Sequence, residues 1–301
     1  MISAKRFAIS EPVLFKATQD FVQSFAEVPD PIIYISSKAR TLQSQIAWTL
    51  LGSALFQGIS YTDVKRVLQG LFKVFPEEKL WTLPVPKEED IQEIVSQTLN
   101  GTDWNIKEHV PGIFWSVGSF VRHHQKNYAT TQISETEGLV QWATSRTAEE
   151  IWRDLGEIYF MGKGKPRPKA AAAIYRLTER FPLGLNIEIR KSRTQPPFPL
   201  TMGLRRYLSI LGPGKYVKFS DLTADEKQKM SQELLTELVP ENPAVAAHGL
   251  QFFLESGSDK FICRSHFFYC NSCPLYRFCK YALTPKLDDS RTHVPCEESA
   301  R

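Results

Sequence analysis

The chain has 301 residues, 42% of them apolar and 23% charged, with a formal net charge of +4 and a pI near 8.7. These are the fractions of a soluble globular protein, and the length suffices for one large domain or two lobes sharing a cleft, without covalent staples. No run approaches the eighteen apolar residues of a membrane helix, and MISAKRFAIS lacks the apolar core of a signal peptide. The expectation is a cytoplasmic, reduced protein (nucleoid-associated if bacterial) with no membrane partner.

Residues 1–35 mix apolar and acidic positions and end in PDPIIYIS, a turn followed by a short extended or helical start. From Ser36 to Phe75 the pattern is helical. Leu42, Ile46, Leu50, Ala54 and Leu55 recur at three- and four-residue steps, which predicts a buried helix. The next helix has Val64, Val67, Leu68, Leu71 and Phe72 on one face and Thr62 as its expected N-cap. At the junction SALFQGIS, Gly58 suits the C′ position of a helix end and Gln57 reads as a solvent-facing amide. Residues 76–100 are a proline-punctuated connection and another amphipathic helix. In residues 101–128, Phe114, Trp115, Val117 and Phe120 predict a packed helix, which is favoured over a phosphate-gripping hairpin at VPGI. His109, His123 and His124 lack metal-like spacing with acids and read as surface histidines. Residues 134–160 give a helix pair with acidic first turns.

From Lys163 to Lys218 basic side chains are dense: Lys163, Lys165, Arg167, Lys169, Arg176, Arg180, Arg190, Lys191, Arg193, Arg205, Arg206, Lys215 and Lys218, opposed by Glu179 and Glu188. A solvated helix face is the usual reading of a charge run. This one crosses a Gly/Pro-rich loop with few counter-ions, which favours a polyanion partner. LTMGLRRYLSILGPG then begins a helix, and DLTADEKQKMSQELLTELVP supplies another, with Thr223 and Glu226 as a capping box.

Four of the five cysteines follow. Cys263, Cys270, Cys273 and Cys279 are spaced by six, two and five residues within seventeen. Four thiolates can complete the shell of a zinc ion or cap the irons of a cubane cluster. Zinc ribbons usually join two close pairs from separate knuckles, whereas these spacings are graded within one loop. Inert buried cysteines would rarely fall so close together. Cys296 lies apart in a polar tail, without a partner of suitable spacing.

With Pro274 after the third cysteine and Tyr276, Arg277, Phe278, Lys280 and Tyr281 around it, the loop resembles the [4Fe–4S] cluster loop of the endonuclease III (HhH-GPD) superfamily of DNA glycosylases. Three further segments are similar to that family. MGKGKPRPKAAAAIYRL resembles its glycine turn and Lys-Ala helix, and AAHGLQFFLESGSDKFIC, with His248, resembles the approach to the first cysteine. Ser53 and Gln57 match a helix end whose glutamine, in the family, enters the DNA stack. The likeness spans residues 36–75 and 150–281.

The resemblance implies an all-α, two-lobed endonuclease III-like fold with a C-terminal cluster loop. Residues 1–35 would pack on the cluster-side lobe, 36–160 would form a helical lobe with the Gln57 turn, and 161–262 would carry the basic segment and the helices leading to the cluster. Residues 263–281 would be the loop and 282–301 a polar tail. The implied cofactor is a [4Fe–4S] cluster on Cys263, Cys270, Cys273 and Cys279. The implied partner is damaged or distorted double-stranded DNA, contacted by Gln57, Lys163, Lys165, Arg167, Lys169, Arg190, Lys191, Arg193 and Arg277.

Members of the family flip a nucleotide and cut its N-glycosidic bond, using a hairpin lysine and an aspartate that opens the next helix. Here PLGLNIEIRKSRTQPPFP is too short for two helices and a hairpin, and Leu200 stands at the aspartate position, although Thr201 and Arg205 match. LGPGK at 211–215 follows the helix it should precede and reads as a turn. Asp221, Asp225 or Glu188 could substitute as carboxylate, and Lys191 or Lys215 as amine. The expectation is a monomeric DNA-binding iron–sulfur protein whose glycosylase and lyase chemistry is altered or lost. The alternative is a [4Fe–4S] redox or iron sensor, or a scaffold, without damage recognition.

Overall fold

The structure, a computed structural model, describes residues 3–56, 59–75, 77–99, 104–128, 137–162, 167–191, 198–252, 273 and 275–279. Its helices are α1 (Ala4–Ser10), α2 (Pro12–Gln23), α3 (Pro31–Ser36), α4 (Leu42–Leu55), α5 (Tyr61–Val74), α6 (Glu88–Leu99), α7 (Val110–Tyr128), α8 (Gly138–Ser145), α9 (Ala148–Asp154), α10 (Pro168–Thr178), α11 (Met202–Ile210), α12 (Ala224–Leu238) and α13 (Pro243–Gln251). Among the described residues there is no strand, only an isolated bridge between Thr147 and Arg190, so what is described is all-α. No helix among them is long and apolar enough to cross a membrane. Two compact units result, Pro29–Pro199 and Met1–Val28 with Leu200–Arg301.

The Pro29–Pro199 unit is built on α4. Every residue from Ile46 to Leu55 is buried, as an almost wholly apolar sequence requires of a central helix. Helices α3, α7, α8 and α10 pack around it. Leu42, expected in the core, is 40% exposed because it occupies the first helical position. Gly52 permits a close approach: a Cβ there would lie 2.5 Å from Ile32 Cγ2 on α3 and 2.9 Å from Leu68 Cδ1 on α5. The N-cap of α5 is Ser60, whose hydroxyl accepts from the Asp63 amide, rather than the expected Thr62 two residues later.

Helix α7 runs where its periodicity places it, with Phe114, Val117 and Phe120 buried, while the Trp115 indole reaches the Pro86 carbonyl. His124 departs from the surface reading. It is buried, with its ring centre 4.3 Å from Phe120 and 5.1 Å from Trp142. Neither ring nitrogen has a hydrogen-bond partner among the described residues. Burial, then the neighbouring His123, pushes His124 down to about 4, against a pull upward from Asp154. The folded protein therefore holds it neutral, and the contribution is complete above the ordinary histidine value of 6.5. As pH falls from there toward 4 the unfolded chain gains the proton first, and on the order of 2 kcal/mol of stability is lost. Urea unfolding between pH 7 and pH 4 should show this loss, and His124→Leu should flatten the profile; an equally steep profile in the variant would assign the acid sensitivity elsewhere.

The second unit joins α1 and α2 to α11, α12 and α13. Phe7, Leu14 and Phe21 on the N-terminal helices, with Leu204, Leu208, Leu234, Leu235 and Leu250, supply its buried apolar residues. Buried Tyr207 bonds Thr18 at 2.7 Å. The expected capping box at the start of α12 is present, with Thr223 and Glu226 each bonding the other's backbone amide.

Candidate metal centre and nucleic-acid-binding residues

Of the four expected cluster ligands, Cys273 and Cys279 are described, whereas Cys263 and Cys270 lie outside the described residues. Cys273 is buried and Cys279 half-buried. A 3-10 turn, Tyr276–Phe278, fills the interval between them. The Cys273 carbonyl accepts from the Tyr276 amide at 3.1 Å, and the Cys279 amide donates to the Tyr276 carbonyl at 3.0 Å. Leu275 beneath the turn is fully buried. Two thiols on one tight turn, one of them sheltered by apolar packing, fit a thiolate-ligated centre in donor chemistry and in spacing. Among the described residues no group of three or more acidic, histidine or cysteine side chains converges as a metal site. The same turn displays Tyr276 and Arg277 to solvent, the Arg277 Nε donating to the Tyr276 hydroxyl at 3.2 Å.

The residues expected on DNA divide into two groups. Gln57, Lys163, Lys165 and Arg193 lie outside the described residues. Of the rest, two face inward. The Arg167 guanidinium donates to the carbonyls of Trp152 and Arg153, both at 3.1 Å, and lies over the Trp152 ring. It thereby satisfies the last turn of α9 with a cation. Lys169 does the same for α4, its Nζ donating to the Ala54 carbonyl at 2.7 Å. Burial pushes the Lys169 ammonium down to about 8. Arg190 and Lys191 are exposed, with the Arg190 amide fixed to the Arg146 carbonyl at 2.8 Å.

One member of the basic stretch is a core residue. Arg176 is 6% exposed and donates through Nε to Asp30 at 2.9 Å and through a terminal nitrogen to Ser53 Oγ at 3.3 Å. Burial alone would push the guanidinium down; the Asp30 carboxylate and Tyr61 more than offset it. Asp30 is itself the N-cap of α3, accepting from the amides of Ile32 and Ile33. Phe56 and Tyr61 stack at 4.7 Å with an interplanar angle of 8°, and Arg176 lies over the Phe56 ring. The network ties α3, α4, α5 and α10 together at the C-terminal end of α4. A signal existed in the sequence, an aspartate directly before Pro-Ile-Ile, but nothing local named its partner.

The residue expected at the family's aspartate position is Leu200. Leu200 is half-buried and precedes Thr201, the N-cap of α11, whose side chain accepts from the Leu204 amide. Residues 211–215 form a turn leading into a 3-10 segment rather than a hairpin between helices. Lys215 there pairs with Glu11 at 2.8 Å, and the Tyr216 hydroxyl bonds the same carboxylate, which holds Glu11 below the usual carboxylate range. Asp221 pairs with Lys218 at 3.2 Å, and Asp225 and Glu188 are exposed. His248 bonds the Val28 carbonyl at 2.8 Å and meets Phe252 edge-on. All three candidate carboxylates are exposed, so none has the burial that would raise its pKa.

No family model matches the sequence, and neither the curated proteins nor the solved structures give a match.

Proposed function

We propose that the chain is a DNA-binding iron–sulfur protein of endonuclease III type, which recognises damaged or distorted duplex and whose glycosylase and lyase chemistry is altered or lost. The observation that carries this reading is the graded cysteine series, two members of which bracket a tight turn displaying Tyr276 and Arg277. Cys263, Cys270, Cys273 and Cys279 would hold the [4Fe–4S] cluster, which supplies a four-point cross-link of the loop and a redox-active centre. Arg277 would meet phosphate, and so, on the Pro29–Pro199 unit, would the exposed Arg190 and Lys191. Support for the fold comes from the all-helical build of the described residues, and from the N-terminal helices sharing a compact unit with α11, α12 and α13.

The loss of the usual chemistry is argued from Leu200. A leucine before the α11 N-cap can neither stabilise an oxocarbenium charge nor accept a proton; of the two candidate amines, Lys215 is committed to Glu11 and Lys191 is exposed. Duplexes carrying an abasic site, uracil, oxidised guanine or oxidised pyrimidine test the proposal. Expected is lesion-preferring binding that weakens steeply with salt, without cleavage of the N-glycosidic bond. Binding that is absent or indifferent to salt would favour the redox or scaffold reading, and lesion-specific cleavage would contradict the loss of catalysis.

A further inference from the structure

The Pro29–Pro199 unit carries a second cationic feature, well before the basic stretch in sequence. Tyr34 on α3 is 38% exposed. The Lys38 ammonium lies 4.3 Å from its ring centre and the Lys65 ammonium, from α5, 4.7 Å from the same point. Each cation is drawn to the ring, so one exposed tyrosine holds two ammonium groups of like charge. Nothing on the two elements neutralises them. The Asp30 carboxylate is consumed by Arg176 and the α3 amides, and Asp63 by the Ser60 hydroxyl and Arg66. Neither lysine forms an ion pair with a described residue. Both helices are anchored by buried faces, through Ile32, Ile33 and Ile35 on α3 and Val64, Val67 and Leu68 on α5, so the two ammonium groups are presented from a fixed base.

We propose that Tyr34, Lys38 and Lys65 form a phosphate-binding site for a nucleic-acid backbone. An anionic phosphate beside the ring is attracted by the two unpaired ammonium groups, and the exposed phenol offers it a hydrogen bond. The site reads no sequence; it positions the duplex. It rests on the DNA-binding reading above and adds a point of contact that the basic stretch and the cysteine loop do not supply.

The test is fluorescence anisotropy of a labelled duplex with an abasic-site analogue, titrated across salt concentrations with the full-length wild type and with K38Q/K65Q. Each lost phosphate contact lowers the slope of log affinity against log salt by about 0.9, so the double variant, which removes one contact, should lose about 0.9 from its slope and bind several-fold more weakly at low salt. Thermal unfolding checks that it folds; should it not, K38Q alone, on the exposed residue just after α3, reads the same slope with about half the change. A wild type that binds and a folded variant with an unchanged slope would overturn this site and leave the DNA-binding reading intact. A wild type that does not bind the duplex would overturn both.

Discussion

Replacing Arg176 with alanine should destabilise the Pro29–Pro199 unit by about 3–5 kcal/mol, because it leaves the Asp30 carboxylate buried without its counter-ion. Arg176 and Asp30 are 6% and 5% exposed, so water cannot readily replace the lost partner. The guanidinium also contacts Ser53 and lies over Phe56, which extends the damage to the end of α4. The pair itself is a different matter. Removing both charges at once, with Arg176→Met and Asp30→Asn, keeps an oxygen to cap α3 and a side chain of similar length in the core. That double variant should recover most of the loss, since a buried ion pair contributes little beyond its apolar equivalent. Denaturant unfolding of Arg176→Met, Asp30→Asn and the double gives the coupling directly. If Arg176→Ala costs under about 1 kcal/mol, the pair is solvated and the buried network described above is wrong.

The second large effect is expected at Cys273. Buried at the start of the Tyr276–Phe278 turn, it has the least solvent access of the two described cysteines. Cys273→Ser replaces a soft thiolate with a weakly acidic hydroxyl and should strip the protein of most of its iron, with the loss of the visible absorption that the cluster would give. The melting temperature should fall with the iron, because a centre bound to the native chain stabilises it by mass action. Cys296→Ser, in the polar tail, should change neither. Equal iron in the Cys273 variant and the wild type would remove Cys273 from the ligand set.

Much of the helical layout was legible in the sequence because its signals are local. The apolar run of α4, the Phe114–Phe120 stripe of α7 and the Thr223–Glu226 capping box each involve residues within a few turns. His124 has a local signal too: Phe114, Val117, Phe120, Val121 and His124 continue one face at steps of three and four. Its neighbours Arg122, His123 and Gln125 disguised it as part of a polar run. What local reasoning could not supply is the pairing of distant groups. Asp30 and Arg176 are separated by 146 positions, and Lys169 and Ala54 by 115. Counting basic residues placed Arg167, Lys169 and Arg176 on a phosphate-binding face, whereas folding turns all three toward carbonyls or a buried carboxylate. The reason is physical. A helix C-terminus offers unsatisfied carbonyls that a long cationic side chain can reach from another element, and charge density along a sequence does not distinguish that use from exposure.

The central claim, that the cysteine loop holds a [4Fe–4S] cluster, is tested most directly by iron and acid-labile sulfide analysis of the full-length protein purified without oxygen. The account predicts about four irons and four sulfides per chain, with a brown colour that bleaches on reduction. One zinc per chain, or colourless protein without iron after anaerobic purification, would contradict it and return the four cysteines to a zinc-binding or purely structural role.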